Sequence, residues 1–170
     1  MIGTARIILP TASALPIQEH FDVGSFFTKI KGHKAAEISR LAISKQFRRR
    51  AIDRVIFNKD KNYNAELEKH QEATANIAKE RRKYEHELIR GLYLLIYRES
   101  LDLGLTHWCA VMAKGLHFML CRWGIHFEQI GPEKEHHGVR APYALSIKAL
   151  ELSLQKKSPE LLKLARHGFE

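Results

Sequence analysis

From Ala36 to Ser44 the chain alternates small and β-branched residues in the manner of a sheet strand, and this strand carries one carboxylate, Glu37. A period of two sends Glu37, Ser39, Leu41 and Ile43 to one face and Ile38, Arg40 and Ala42 to the other. A strand of that composition belongs inside a sheet, so the carboxylate is drawn partly out of water. The chain then turns at once into Lys45, Gln46, Phe47, Arg48, Arg49 and Arg50, four cations in six positions. Fixed positive charge of this density suits a phosphate or an acidic protein surface.

Around this strand the chain alternates between two periodicities. Thr4 to Leu9 is a short apolar run closed by Pro10, which suits a strand, and a loop rich in Ala, Ser and Thr then leads to Leu15-Pro16. The stretch Phe21 to Gly32 reads as a short helix before a turn. Between Arg48 and Lys83 the composition shifts to Lys, Arg, Asn, Glu and Gln with little apolar periodicity, so residues 51–83 read as a mobile polar insertion. From Tyr84 to Leu103 the apolar residues Leu88, Leu92, Leu95 and Ile96 recur at helical spacing, and Gly104 supplies the stop. Thr106 to Met112 reads as a central strand and Ala113 to Trp123 as a helix closed by Gly124. Phe127 to Ile130 and Tyr143 to Ile147 supply late strands, and an amphipathic tail helix begins near Ser158-Pro159 and runs to His167. Strand and helix in alternation predict a single α+β domain over residues 1–170, a mixed central sheet with flanking helices.

Length and composition support one ordered domain: the 170 residues are 45% apolar, enough for an ordinary core. Lys and Arg outnumber Asp and Glu 28 to 19, for a net charge of +9 and an isoelectric point near 9.7. That balance favours an acidic partner or polyanion over a neutral one. Cys109 and Cys121, each among apolar residues, read as reduced core thiols, and no secretory leader is expected. The longest apolar stretch, around Leu88 to Tyr97, falls far short of the ~20 residues a bilayer requires. The expected location is the cytoplasm.

Each candidate residue carries a functional and a structural reading. Glu37 fits a general base with a pKa raised by desolvation, and it equally fits a carboxylate paired with Arg6 or Arg40. Arg6 and Arg40, on strands the fold would bring together, can orient Glu37, an acceptor carboxylate, or both. The loop from Lys45 to Arg50 offers an anion site, or it is a solvated or nucleic-acid-facing loop. Trp108 and Phe118 are core residues or the lining of an acyl tunnel. Ten histidines raise the question of a metal, most of all at Glu135-His136-His137, yet their spacing matches no zinc pattern, and none is expected.

The sequence also resembles something known. Glu37-Ile38-Ser39-Arg40-Leu41-Ala42-Ile43-Ser44 with its Arg-rich turn is similar to the core motif of the acyl-homoserine-lactone synthase superfamily, and most closely to the acyltransferases associated with PEP-CTERM/exosortase systems. Three further stretches fit that group: Gly3 to Pro10 with Leu15-Pro16, Gly91-Leu92-Tyr93 through His107-Trp108, and Gly124 to Phe127 through Gly138 to Tyr143.

The resemblance implies a GNAT fold and an N-acyltransferase that moves a fatty acyl group from acyl carrier protein, or acyl-CoA, to the amine of an amino-acid-like acceptor. It implies Glu37 as base, Arg6 and Arg40 as organisers, and Lys45 to Arg50 at the place where a splayed strand turns into the loop that holds the pantetheine arm. The acyl-phosphopantetheine is then a substrate, and no permanently bound cofactor is expected. In the family the strand matching Gly3 to Pro10 is internal, so its first strands and helices are expected to be missing here. The rivals are a non-catalytic remnant that binds an acidic carrier through the basic loop and, less favoured, a nucleic-acid-binding module, for which the segment lacks a recognition motif.

Overall fold

The computed structural model of the chain describes residues 2–10, 14–44 and 86–167. The predicted basic loop and the polar insertion lie outside these residues. Six strands form a mixed sheet in the order β1 (Gly3–Ile8), β2 (Ala35–Ile43), β3 (His107–Met112), β6 (Val139–Ser146), β4 (Glu128–Gln129), with β5 (Lys134–Glu135) also paired to β6. The helices are α1 (Pro16–His20), α2 (Gly24–Lys29), α3 over residues 86–102, α4 (Lys114–Arg122), α5 (Ile147–Lys157) and α6 (Pro159–His167). An α+β fold with flanking helices is therefore what the chain adopts.

By packing, the chain divides into two compact units, Met1–Thr4 with Leu41–Tyr93 and Ala5–Arg40 with Leu94–Glu170. In the first, Ser44 N–H donates to the carbonyl of Ile2 at 2.8 Å. A Cβ on Gly3 would stand 2.9 Å from Ile43 and 3.2 Å from Leu92, so the absence of a side chain there lets both approach the strand.

In the second unit β2 and β3 run parallel, and β3 and β6 pair antiparallel along the whole of β3, from His107↔Ser146 to Met112↔Ala141. With β5 pairing Lys134↔Arg140 and Glu135↔Val139 in addition, β6 begins at Val139, ahead of the expected start at Tyr143. Pro142 takes its place opposite Val111, and its carbonyl accepts from Ile130 N–H at 3.0 Å on the β4 side. On that same side proline has no N–H to give. The β4 ladder accordingly holds only Glu128↔Ala144 and Gln129↔Tyr143.

The two sheet faces are covered by different helices. Leu15, Ile17, Phe21 and Val23 from α1 and its flanks pack with Ala35, Cys109 and Ala144. On the opposite face Trp108 is wholly enclosed, stacked on Phe127 with ring centroids 6.3 Å apart, and its Nε1–H donates to Ser100 Oγ of α3 at 2.8 Å. Helix α3 ends where the sequence requires: Gly104 has φ 63° and Leu105 N–H reaches back to Ser100 O at 2.8 Å. Helix α6 starts at Pro159, with Leu161 N–H donating to Ser158 O at 2.9 Å. The short α1 forms at the end of the segment that the sequence predicts as a loop running into Leu15-Pro16.

Candidate active site

Glu37 sits in β2 directly beside Cys109 of β3, and that pair is the last rung between the two strands. Ahead of it Ala35↔His107 and Ala36↔Trp108 are in register; past it Ile38–Arg40 and Ala110–Met112 pair with one another no further. The parallel ladder thus opens into a fork with a carboxylate at its closed end. Arg40, three residues on, has φ 52°, a left-handed conformation that an arginine inside a strand adopts only at a cost of order 1 kcal/mol or more. Such a residue breaks the regular pleat of the strand.

Glu37 is a buried residue, at 7% exposure. Its Oε2 accepts the main-chain N–H of Ile17 at 2.7 Å. Ile17 follows Pro16 at the start of α1, where a helix has N–H groups without partners, so Glu37 supplies from another element what a capping side chain would supply locally. The next residue, Gln18, turns its Oε1 onto the N–H of Leu15 at 3.0 Å. Burial pushes the Glu37 carboxyl above the ordinary carboxylate range, and the Ile17 hydrogen bond, Arg6 and His20 pull it part of the way back. The neighbouring Cys109 thiol is pushed up to about 12, first by its own burial and then by the charge of Glu37.

Arg6, on β1, faces this centre. Its Nε donates to Ser39 Oγ at 3.0 Å, and its charge acts on Glu37. Arg40 is exposed, and among the described residues its side chain makes no hydrogen bond or ion pair. The structure therefore brings together Glu37 and Arg6 and leaves Arg40 exposed, with a left-handed backbone, three residues away. Trp108 is enclosed on the far face, and Phe118 stands 68% exposed on α4. Lys45, Gln46, Phe47, Arg48, Arg49 and Arg50 lie outside the described residues.

Two features of the surroundings are not foreseen by the sequence. A cleft of about 170 Å³ opens between α1 and α2, lined by Leu15, Gln18, Phe27, Ile30, His33 and Ala35. Ala35 is two residues from Glu37 on β2, so the cleft lies on the sheet face that carries the carboxylate. The second feature is His20, at the last turn of α1, whose charge also reaches Glu37. A signal for α1 does exist in the chain: Pro16 suits the first helical position, with Glu19 in the first turn behind it.

Among the described residues no group of three or more His, Cys, Asp or Glu side chains is arranged to hold a metal, and no helix is long and apolar enough to cross a membrane.

No family model matches the sequence, and no curated protein matches it. Solved structures do. The chain is similar to FeeM, an N-acyl amino acid synthase from uncultured soil microbes, with a TM-score of 0.57 and 15% identity over 89% of this chain and 64% of that one. It is also similar to BjaI, a CoA-dependent acyl-homoserine lactone synthase solved with SAM and isopentyl-CoA, with a TM-score of 0.51 and 14% identity over 91% of this chain and 58% of that one. The chain spans less than two thirds of the length of either. Its mixed six-stranded sheet with flanking helices is the GNAT-like fold of the acyl-homoserine lactone synthases.

Proposed function

We propose that the chain is an N-acyltransferase domain that moves a fatty acyl group from acyl carrier protein or acyl-CoA to the amine of an amino-acid-like acceptor, with Glu37 as the general base. The observation that carries the reading is the placement of Glu37: the carboxylate of a buried residue, raised in pKa by burial, at the closed end of the fork between β2 and β3. The fold likeness to an N-acyl amino acid synthase and an acyl-homoserine lactone synthase supports the reaction class.

The chemistry follows from that placement. An acceptor reaches the site as an ammonium ion and must lose a proton before its nitrogen can attack. Glu37 takes that proton, directly or through a water, and a carboxylate with a raised pKa is a better base for it. The amine nitrogen bonds to the thioester carbonyl carbon, the C–S bond breaks, and the thiolate leaves as thiol by taking up a proton, so that one amide, one thiol and one net proton result. Beyond the last rung the edges of β2 and β3 offer main-chain groups to an extended amide-bearing chain, which is what a pantetheine arm is. The basic run from Lys45 to Arg50 follows β2 directly and attracts the acidic carrier or the donor's phosphates. Arg6 steadies the charge beside Glu37. The cleft under α1 and α2 receives the apolar side chain of the acceptor. The resemblance to exosortase-associated acyltransferases supports membership of that group, with action in the cytoplasm.

The Ile17 hydrogen bond favours a second reading, in which Glu37 serves only to hold α1 and the chain is a carrier-binding module without turnover. Glu37→Gln separates the two, because the amide oxygen still accepts from Ile17 while the basicity is gone. The test is thiol release from acyl-carrier thioesters in the presence of mixed amino acids. The catalytic reading expects release by the wild type and a fall of at least about 100-fold in Glu37→Gln. Release at the wild-type rate in the variant, or none in either, overturns it.

A further inference from the structure

The turn between β5 and β6 and the end of α1 gather five basic side chains, His20, Lys134, His136, His137 and Arg140. The rings of His20 and His136 lie 5.0 Å apart, as do those of His136 and His137, and Phe21 of the core meets His136 edge-on at 5.7 Å. Lys134 Nζ donates to the carbonyl of His20 at 3.2 Å, which ties β5 to α1. Arg140 leans on the carbonyl of His137 at 3.3 Å. His137 holds a left-handed φ of 54° ahead of Gly138.

The carboxylates nearest the turn are engaged elsewhere. Glu133 is committed to Lys114 at 2.7 Å, and Glu135 turns its Oε1 back onto the N–H of Gly138 at 2.8 Å. Among the described residues none of the five basic groups makes an ion pair. Burial first, and then the charges of His137, His20, Arg140 and Lys134, lower the pKa of His136. Basic groups gathered without an ion pair are arranged for an anion that arrives from outside.

The cluster also has a fixed relation to Glu37. His20 belongs to both, since its ring lies against that of His136 and it stands one helical turn after Ile17, whose N–H holds Glu37 at 2.7 Å. An α-amino acid carries its amine and its carboxylate on one carbon, so when the amine is at Glu37 the carboxylate must lie within a few ångströms of it.

We infer that His20, Lys134 and His136 form the subsite for the α-carboxylate of the acceptor, with His137 and Arg140 adding positive charge at its rim. This rests on the acyltransferase reading for its substrate class, but its test does not need turnover. The imidazole C–H resonances of the full chain, assigned with His20→Gln and His136→Gln variants, are followed by NMR from pH 5 to 8 with glycine, glycinamide or inorganic phosphate added.

Glycine is expected to move the titration midpoint of His136 upward, glycinamide to leave it in place, and Lys134→Met to weaken the glycine effect at least about fivefold. Equal responses to glycine and glycinamide, a response to phosphate with none to glycine, or no response at all would each overturn the assignment. Where thiol release is measurable, His136→Ala is expected to raise KM for amino acids and leave KM for their amides unchanged. Absence of thiol release in the wild type sinks the acyltransferase reading and leaves the NMR result to stand by itself.

Discussion

The main-chain N–H of Ile17 points at Oε2 of Glu37 from 2.7 Å, so the start of α1 and the closed end of the strand fork are joined through one carboxylate. Whatever removes that oxygen leaves a buried donor without a partner. Whatever keeps the oxygen but removes its charge leaves the joint intact.

That difference predicts unequal effects on stability. Glu37→Ala is expected to lower the unfolding free energy by about 1–3 kcal/mol, because the Ile17 N–H is stranded, while Glu37→Gln stays within about 1 kcal/mol of wild type. Urea unfolding of the two variants at pH 7 measures it. Equal loss in both would mean that charge, and not the hydrogen bond, holds α1.

The pH dependence of stability has a definite sign. Because the folded-state pKa of Glu37 is raised above the ordinary 4.5, protonation favours the folded state. Its contribution is full below 4.5 and is lost as pH rises through the higher folded value. Relative to wild type, Glu37→Gln is therefore expected to gain stability as pH climbs from 4 to 7. Melting temperatures of both proteins across that range report it, and parallel curves would refute it.

Behind the sheet, Ser100 Oγ accepts from the indole N–H of Trp108 and donates to Ile96 O at 2.6 Å, with both side chains fully enclosed. Ser100→Ala removes the acceptor from a buried donor. The expected loss is about 1–3 kcal/mol, read from chemical denaturation.

Gly131 sits just past β4, where a Cβ would stand 2.6 Å from the carbonyl oxygen of Asp22 and 2.9 Å from Pro142. Backbone cannot swing aside as a side chain can. Gly131→Ala should cost about 1–3 kcal/mol and disturb the contact between the β5–β6 turn and α1, seen as altered His136 resonances.

Cys109, with no exposed surface and a thiol pushed up to about 12, should resist alkylation at pH 8 in the native protein. Labelling with iodoacetamide followed by peptide mapping is expected to modify it only after denaturant is added. The half-buried Cys121 serves as the internal comparison.

Local pattern was enough for much of the architecture. Gly104 and Gly124, each just past a stretch of helical spacing, end α3 and α4 with φ 63° and 86°, because only a residue without a Cβ takes that conformation freely. The alternation from Ala36 to Ser44 marked the strand that carries Glu37, and its apolar setting implied burial. A helix as short as α1 leaves too few residues for a period to show, so its presence at Pro16 rested on a single proline. The β6 start at Val139 was hidden for another reason: Pro142 argues against a strand until a partner is known to lie on the side where no N–H is needed.

What composition and spacing determined about this protein is an α+β chain with one carboxylate carried into a sheet and a basic run behind it. Only the folded chain decided what meets that carboxylate. The N–H of Ile17, the charge of Arg6, and His20 held against His136 come from segments far apart in sequence, and no periodicity encodes which of them will touch. The fork at Glu37 has the same origin, since where two strands part is a property of the pair and is written in neither strand alone.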